Sequence, residues 1–144
     1  MTAPAPTAPA TGFEFLGLRG WSRKDAVIST PSLAQDATST GTVALAPGWR
    51  LYKVQADQAA RIRLYASTAQ RTQDLGRPIG TDPDLESDHG LFLEFVTTGT
   101  LLQAVLSPQV HGYCPSGVSV PYAITNLDPA TGPVVVTLTY VRTE

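Results

Sequence analysis

The feature that most limits what this chain can fold into is a two-residue alternation of apolar and polar side chains, repeated in short runs. Successive side chains on a β-strand point to opposite faces, so each such run buries one face and wets the other. Ile62 and Leu64 alternate with Arg61, Arg63 and Tyr65; Val134, Val136, Leu138 and Tyr140 alternate with Val135, Thr137, Thr139 and Val141. Strands are expected over residues 13–18, 26–29, 42–46, 50–56, 60–66, 91–97, 101–106, 118–126 and 134–142. The breaks between them hold turn formers: Pro47-Gly48, Thr98-Gly99, Pro115-Ser116-Gly117, and Asp128-Pro129 ahead of Gly132. Eight or nine short strands at this spacing predict an all-β fold, an antiparallel β-sandwich of jelly-roll-like form. Leu64, Phe95, Ile124 and Leu138 are expected in its core.

One stretch departs from the alternation. After the strand ending near Ala66, Ser67 suits a helix N-cap, and Gln70 three residues on completes a capping box. A short helix is therefore expected near residues 68–75. Gly76 suits a left-handed residue that ends it, and Pro78 prevents its resumption. Arg71 and Asp74, three apart, are expected to pair on the exposed side.

With 144 residues the chain has the length of one domain and can bury a core without metals or disulfides. Residues 1–12 alternate Ala, Pro and Thr, with nothing to bury, and favour an extended polyproline II arm reaching roughly 35 Å. The expected organisation is an arm over 1–12, with Thr2, Pro4, Pro6 and Pro9 as partner-binding residues, and a β-sandwich domain over 13–144.

Several chemistries find no support in the residues. A net charge of -2 with scattered basic residues leaves no footprint for nucleic acid. No run approaches a membrane span, and the N-terminus lacks the charged and apolar regions of a secretory signal, so synthesis and folding in a cytoplasm are expected. The single Cys114 agrees with a reducing compartment. The acidic residues Asp82, Asp84, Glu86 and Asp88 suggest a calcium loop, but Ser87 stands where an EF-hand needs Gly and Leu93 where it needs Glu. His111 and Cys114 are too few ligands for zinc. No nucleophile elbow or phosphate-binding glycine loop is present. No catalytic residue, cofactor or metal is therefore expected. An enzymatic reading would need His89 or His111 gathered with acids such as Asp88 or Glu94. Trp21, Trp49 and Tyr113 are candidate interface or glycan-stacking aromatics.

The segments "RLYASTAQRTQDLGRPIGTDP" (63–83), "DHG" (88–90), "SVPYAITNL" (119–127) and "VVVTLTYVRT" (134–143) resemble small accessory proteins encoded in the structural modules of tailed bacteriophages. The likeness covers roughly residues 50 to 142 and leaves out the arm and residues 13–40. It implies a β-sandwich virion component with no catalytic residues to carry over. The expected role is a non-enzymatic structural protein of the virion, made in the host cytoplasm, that decorates or cements the capsid. The expected partners are the major capsid protein or other virion structural proteins, and a symmetric homo-oligomer, for example a trimer. The alternative is a tail or baseplate component, including a host-glycan-binding module.

Overall fold

In the computed structural model, residues 22–84, 86–114 and 117–143 are described. The arm (1–12), with Thr2, Pro4, Pro6 and Pro9, the expected strand at 13–18 and Trp21 lie outside them. The described chain forms eight strands and one helix: β1 (Arg23–Ser29), β2 (Thr38–Ala44), β3 (Gly48–Ala56), β4 (Ala60–Tyr65), α1 (Thr68–Asp74), β5 (Leu91–Val96), β6 (Gln103–Tyr113), β7 (Ser119–Asn126) and β8 (Val135–Arg142). Two four-stranded sheets result, ordered β1-β8-β3-β6 and β2-β7-β4-β5, and every pairing is antiparallel. Chain neighbours such as β1 and β2, or β3 and β4, lie in opposite sheets, which is the eight-stranded jelly roll.

The core lies between the sheets. Leu51, Val54, Val136 and Leu138 from one sheet meet Ile62, Leu64, Val120 and Ile124 from the other, all fully buried. Three of the four expected core residues are fully buried; Phe95, near the open edge at β5, is half-buried against the cluster. Trp49 on β3 reaches across to Phe92 on β5, edge to face, with ring centroids 5.4 Å apart. That contact joins the two layers.

Several elements differ from expectation for local reasons. β2 begins at Thr38 although Thr38-Ser39-Thr40-Gly41-Thr42 has no apolar alternation, because it pairs residue by residue with β7. β6 runs on to Tyr113 through Ser107-Pro108, where a break is expected. β6 is an edge strand, so Pro108 can stand where no ladder bond is lost. The pairing of β3 with both neighbours shifts register between Leu51 and Lys53.

Helix α1 starts as its capping residues dictate: the Ser67 hydroxyl accepts from the Gln70 N–H at 3.2 Å. It ends differently. Leu75 keeps right-handed helical angles, and Gly76 is not among the glycines of positive φ, which are Gly80 and Gly90. The turn is closed by the Arg77 N–H donating to the Asp74 carbonyl at 3.0 Å, and Pro78 follows. No left-handed residue is needed there.

Candidate functional site

The outer faces of the two sheets differ sharply. On β4 all six residues are buried, including Arg61, Arg63 and Tyr65, the polar side of its alternation. They are covered because α1 and the following loop fold back over this face. Arg63, only 1% exposed, donates from Nη1 to the Asp74 carbonyl at 3.1 Å. The Tyr65 hydroxyl donates to Asp74 Oδ2 at 2.5 Å. Arg61 donates from Nη1 to the Arg77 carbonyl at 2.7 Å and from Nε to Glu94 Oε2.

Arg77 closes the cluster. Its guanidinium grips Asp74 in a fork, Nε to Oδ1 at 2.7 Å and Nη2 to Oδ2 at 2.9 Å, while Nη1 donates to Glu94 Oε1 at 2.9 Å and to the Thr81 carbonyl at 2.6 Å. The expected exposed pair Arg71–Asp74 is not formed. Asp74 is buried in the cluster, and Arg71 turns the other way to donate to the carbonyls of Gly41 at 2.8 Å and Tyr122 at 3.4 Å. The reason lies in the demand on β4: two buried guanidiniums and a phenol need acceptors, and Asp74 is the carboxylate that α1 brings over them.

This arrangement fixes the charge states. Burial opposes ionisation of Asp74, but hydrogen bonds from Arg77 and Tyr65, with the charges of Arg77 and Arg63, outweigh it and hold its carboxyl below the ordinary value. Burial likewise opposes the charge on Glu94, and bonds from Arg77 and Arg61 overcome it. Burial and the bond to Asp74 push the Tyr65 hydroxyl upward, so it stays protonated. All four carboxylate oxygens are occupied by guanidinium or phenol donors. Carboxylates held ionised in this way do not donate a proton near neutrality.

Beside the cluster opens a cavity of about 370 Å³ lined by Gln70, Gln73, Asp74, Asp84, Ser87 and His89. It brings His89 near acids other than those the enzymatic reading named; Glu94 is held in the cluster. His89 Nδ1 accepts the Leu91 N–H at 3.0 Å, and the Ser87 hydroxyl donates to the Asp84 carbonyl at 3.2 Å. Ser87 and His89 thus satisfy the loop. Asp84 caps its own turn by accepting the Glu86 N–H at 3.0 Å. Among the described residues, no three His, Cys, Asp or Glu are grouped to hold a metal ion.

The outer face of the β1-β8-β3-β6 sheet is uncovered among the described residues. Val27 on one edge is 62% exposed and Val105 on the other 75%, and the strands between them present Thr137, Thr139, Lys53 and Gln55. Charges on this face are few and partly paired: the Thr139 hydroxyl donates to Asp25 at 2.6 Å, and the Arg23 guanidinium lies 4.6 Å over the Tyr52 ring. Of the candidate aromatics, Tyr113 stands at the end of β6, 56% exposed. Trp49 is 1% exposed and belongs to the core, which removes it from any surface platform. Its ring has room because Gly112 stands opposite on β6, where a Cβ would overlap it.

No protein-family model matches the chain, and no curated protein matches it. The functional reading therefore rests on geometry. No helix among the described residues is long and apolar enough to cross a membrane. The buried Arg61 and Arg63 escaped the sequence reading, which placed them on a wetted face. The signal available was their spacing, since two arginines and a tyrosine alternating on one strand concentrate charge in a chain only 15% charged.

Proposed function

We propose that this chain is a non-enzymatic structural protein of a tailed-phage particle, binding and stabilising or decorating the capsid. The observation that carries the reading is the contrast between the two outer faces. One is clasped by the chain's own helix and loop, with Asp74 and Glu94 engaged by Tyr65, Arg61 and Arg77. The other is a sheet surface of Val, Thr and Gln with few charges, ending among the described residues in open edges at Val27 and Val105. A preformed face of this kind, with few charges, suits adhesion to a lattice by many small contacts, because it loses little conformational entropy on docking. The Pro/Ala/Thr arm over 1–12 adds a second attachment, and open edge strands suit a cyclic homo-oligomer.

The test is incorporation into particles assembled without the protein. A chain lacking residues 2–12 and a full-length Val27→Lys, Val105→Lys chain are each expected to stay folded and to fail to co-sediment with heads that the unaltered chain decorates. Full incorporation of both would overturn the proposal. Separating heads from tails before sedimentation distinguishes capsid decoration from a tail or baseplate position. The glycan reading loses Trp49 to the core and keeps Tyr113 as the exposed aromatic among the described residues.

A further inference from the structure

The cations of the described residues divide by sheet. Arg61, Arg63, Arg71 and Arg77 belong to β4 and the clasp over it, each bound to a carboxylate or a carbonyl. The rest, Arg23, Lys24, Arg50, Lys53 and Arg142, stand on β1, β3 and β8 of the opposite sheet. Strand pairing lines up two arginines and a histidine across that sheet: Arg23 is opposite Val141, Val141 opposite Arg50, and Arg50 opposite His111. Directly paired residues share a face, and Val141 lies two residues beyond Thr139, so this row is on the outer face. Lys53, opposite Thr139, adds a charge in the next row. Arg23 lies over the Tyr52 ring, and neither it, Arg50 nor Lys53 has a carboxylate partner among the described residues.

The complement stands on the other side of the molecule. Asp82, Asp84, Glu86 and Asp88, between α1 and β5, are all exposed, and none is in an ion pair among the described residues. They lie beside the clasp, beyond one sheet, while the cation row lies beyond the other. The thickness of a sandwich, about 10 Å between its sheets, keeps the two sets apart within one molecule.

We infer that a second copy of this chain docks its Asp82, Asp84, Glu86 and Asp88 on the row of Arg23, Arg50 and His111, head to tail. Charge complementarity selects this occupant. Row against row, or acids against acids, would bring like charges together, which opposes a face-to-face twofold dimer. The contact is therefore heterologous, and it closes into a ring or runs on as a filament according to the rotation between copies. The opposite end of the same outer face, where Val27, Thr137, Gln55 and Gln103 align, carries no charge and is left free. Exposed ion pairs are weak singly and screened by salt, so the association is reversible and strongest at low ionic strength. This inference does not rest on the capsid reading and is tested without particles.

Sedimentation velocity on the full chain is the test. At about 0.01 M salt, where the screening length is about 30 Å, the chain is expected to sediment faster as its concentration rises. The dissociation constant is expected to rise about tenfold or more by about 0.1 M salt, where that length falls to about 10 Å. Arg23→Glu, Lys53→Glu and, separately, Asp82→Lys, Glu86→Lys, Asp88→Lys are each expected to stay monomeric with an unchanged circular dichroism spectrum. Mixing the two altered chains in equal amounts is expected to restore the faster species, because each supplies the charge the other lacks. A monomer at low salt, an association indifferent to salt or to either reversal, or a mixture that stays monomeric would overturn the inference. A monomer that binds polyglutamate through Arg23 and Lys53 would give the row to a foreign acidic segment and overturn it as well. Should the doubly reversed row disturb the fold, the neutral chain Arg23→Gln, Lys53→Gln carries the same expectation of about tenfold weaker association.

Discussion

Tyr65, in the last position of β4, donates its hydroxyl hydrogen to Asp74, the last residue of α1, across 2.5 Å in a fully buried contact. The bond ties the helix to the sheet at the point where the helix ends. Tyr65→Phe keeps the ring and removes the donor, leaving the Asp74 carboxylate with the Arg77 fork and the more distant Arg63. A hydrogen bond to a charged acceptor is worth about 1.5–3 kcal/mol, and the expected loss of unfolding free energy lies in that range. Urea denaturation followed by tryptophan fluorescence measures it. A loss below about 0.5 kcal/mol would mean that the phenol is not the anchor of α1.

Arg77 serves two carboxylates that lie on different elements, Asp74 on α1 and Glu94 on β5. Arg77→Ala leaves a buried carboxylate without its fork and the guanidiniums of β4 with a weakened counter-charge. Breaking a buried pair from one side costs about 3–5 kcal/mol, more than removing an exposed arginine. Arg77→Lys is expected to recover only part, since an ammonium cannot present the same fork. Limited proteolysis gives a second reading: cleavage within 78–89 should become fast in Arg77→Ala at temperatures where the sheets remain folded.

Acid should act through the same cluster. Asp74 and Glu94 are held below their ordinary values of 3.8 and 4.5, so the unfolded chain binds protons at a higher pH than the native one. Their contribution to stability is complete above those ordinary values and is lost as pH falls through them towards the depressed native ones. The urea midpoint is expected to hold from neutrality down to about pH 5 and to decline below it. In Asp74→Asn the decline should be shallower, from a lower starting stability. A midpoint that rose on acidification below pH 4.5 would contradict the assigned charges.

The strands were legible because burying one face of a sheet imposes its period on the residues, as in Val134, Val136 and Leu138. The same period misled at β4. Arg61 and Arg63 alternate outward as a wetted face should, but whether water or another layer lies beyond an outward face depends on where α1 docks, its Arg71 being 30 and 51 residues of chain away from its acceptors Gly41 and Tyr122. That long-range placement has no local periodicity. Ser67 announced the start of α1 because capping is local, whereas its end was set by the pull of the cluster on Asp74 and Arg77.

Glycine positions offer the sharpest separation between local and long-range causes. The sequence suits Gly76 to a left-handed residue ending α1, where Val would be strained, but it lacks a positive φ and a Cβ built there meets nothing within 4 Å. Gly76→Val is therefore expected to change stability by about 0.5 kcal/mol or less, as for other open surface sites. Gly112 sits one residue before the end of β6 with its Cα against the buried Trp49 ring, which is fixed edge-to-face on Phe92. A methyl group there must displace a packed indole, and overpacking of this kind costs about 1–3 kcal/mol. Gly112→Ala should lower the melting temperature and shift the Trp49 contribution to near-UV circular dichroism, while Gly76→Val leaves both unchanged. The opposite ranking would show that the helix end, and not the Trp49 contact between the sheets, constrains the backbone.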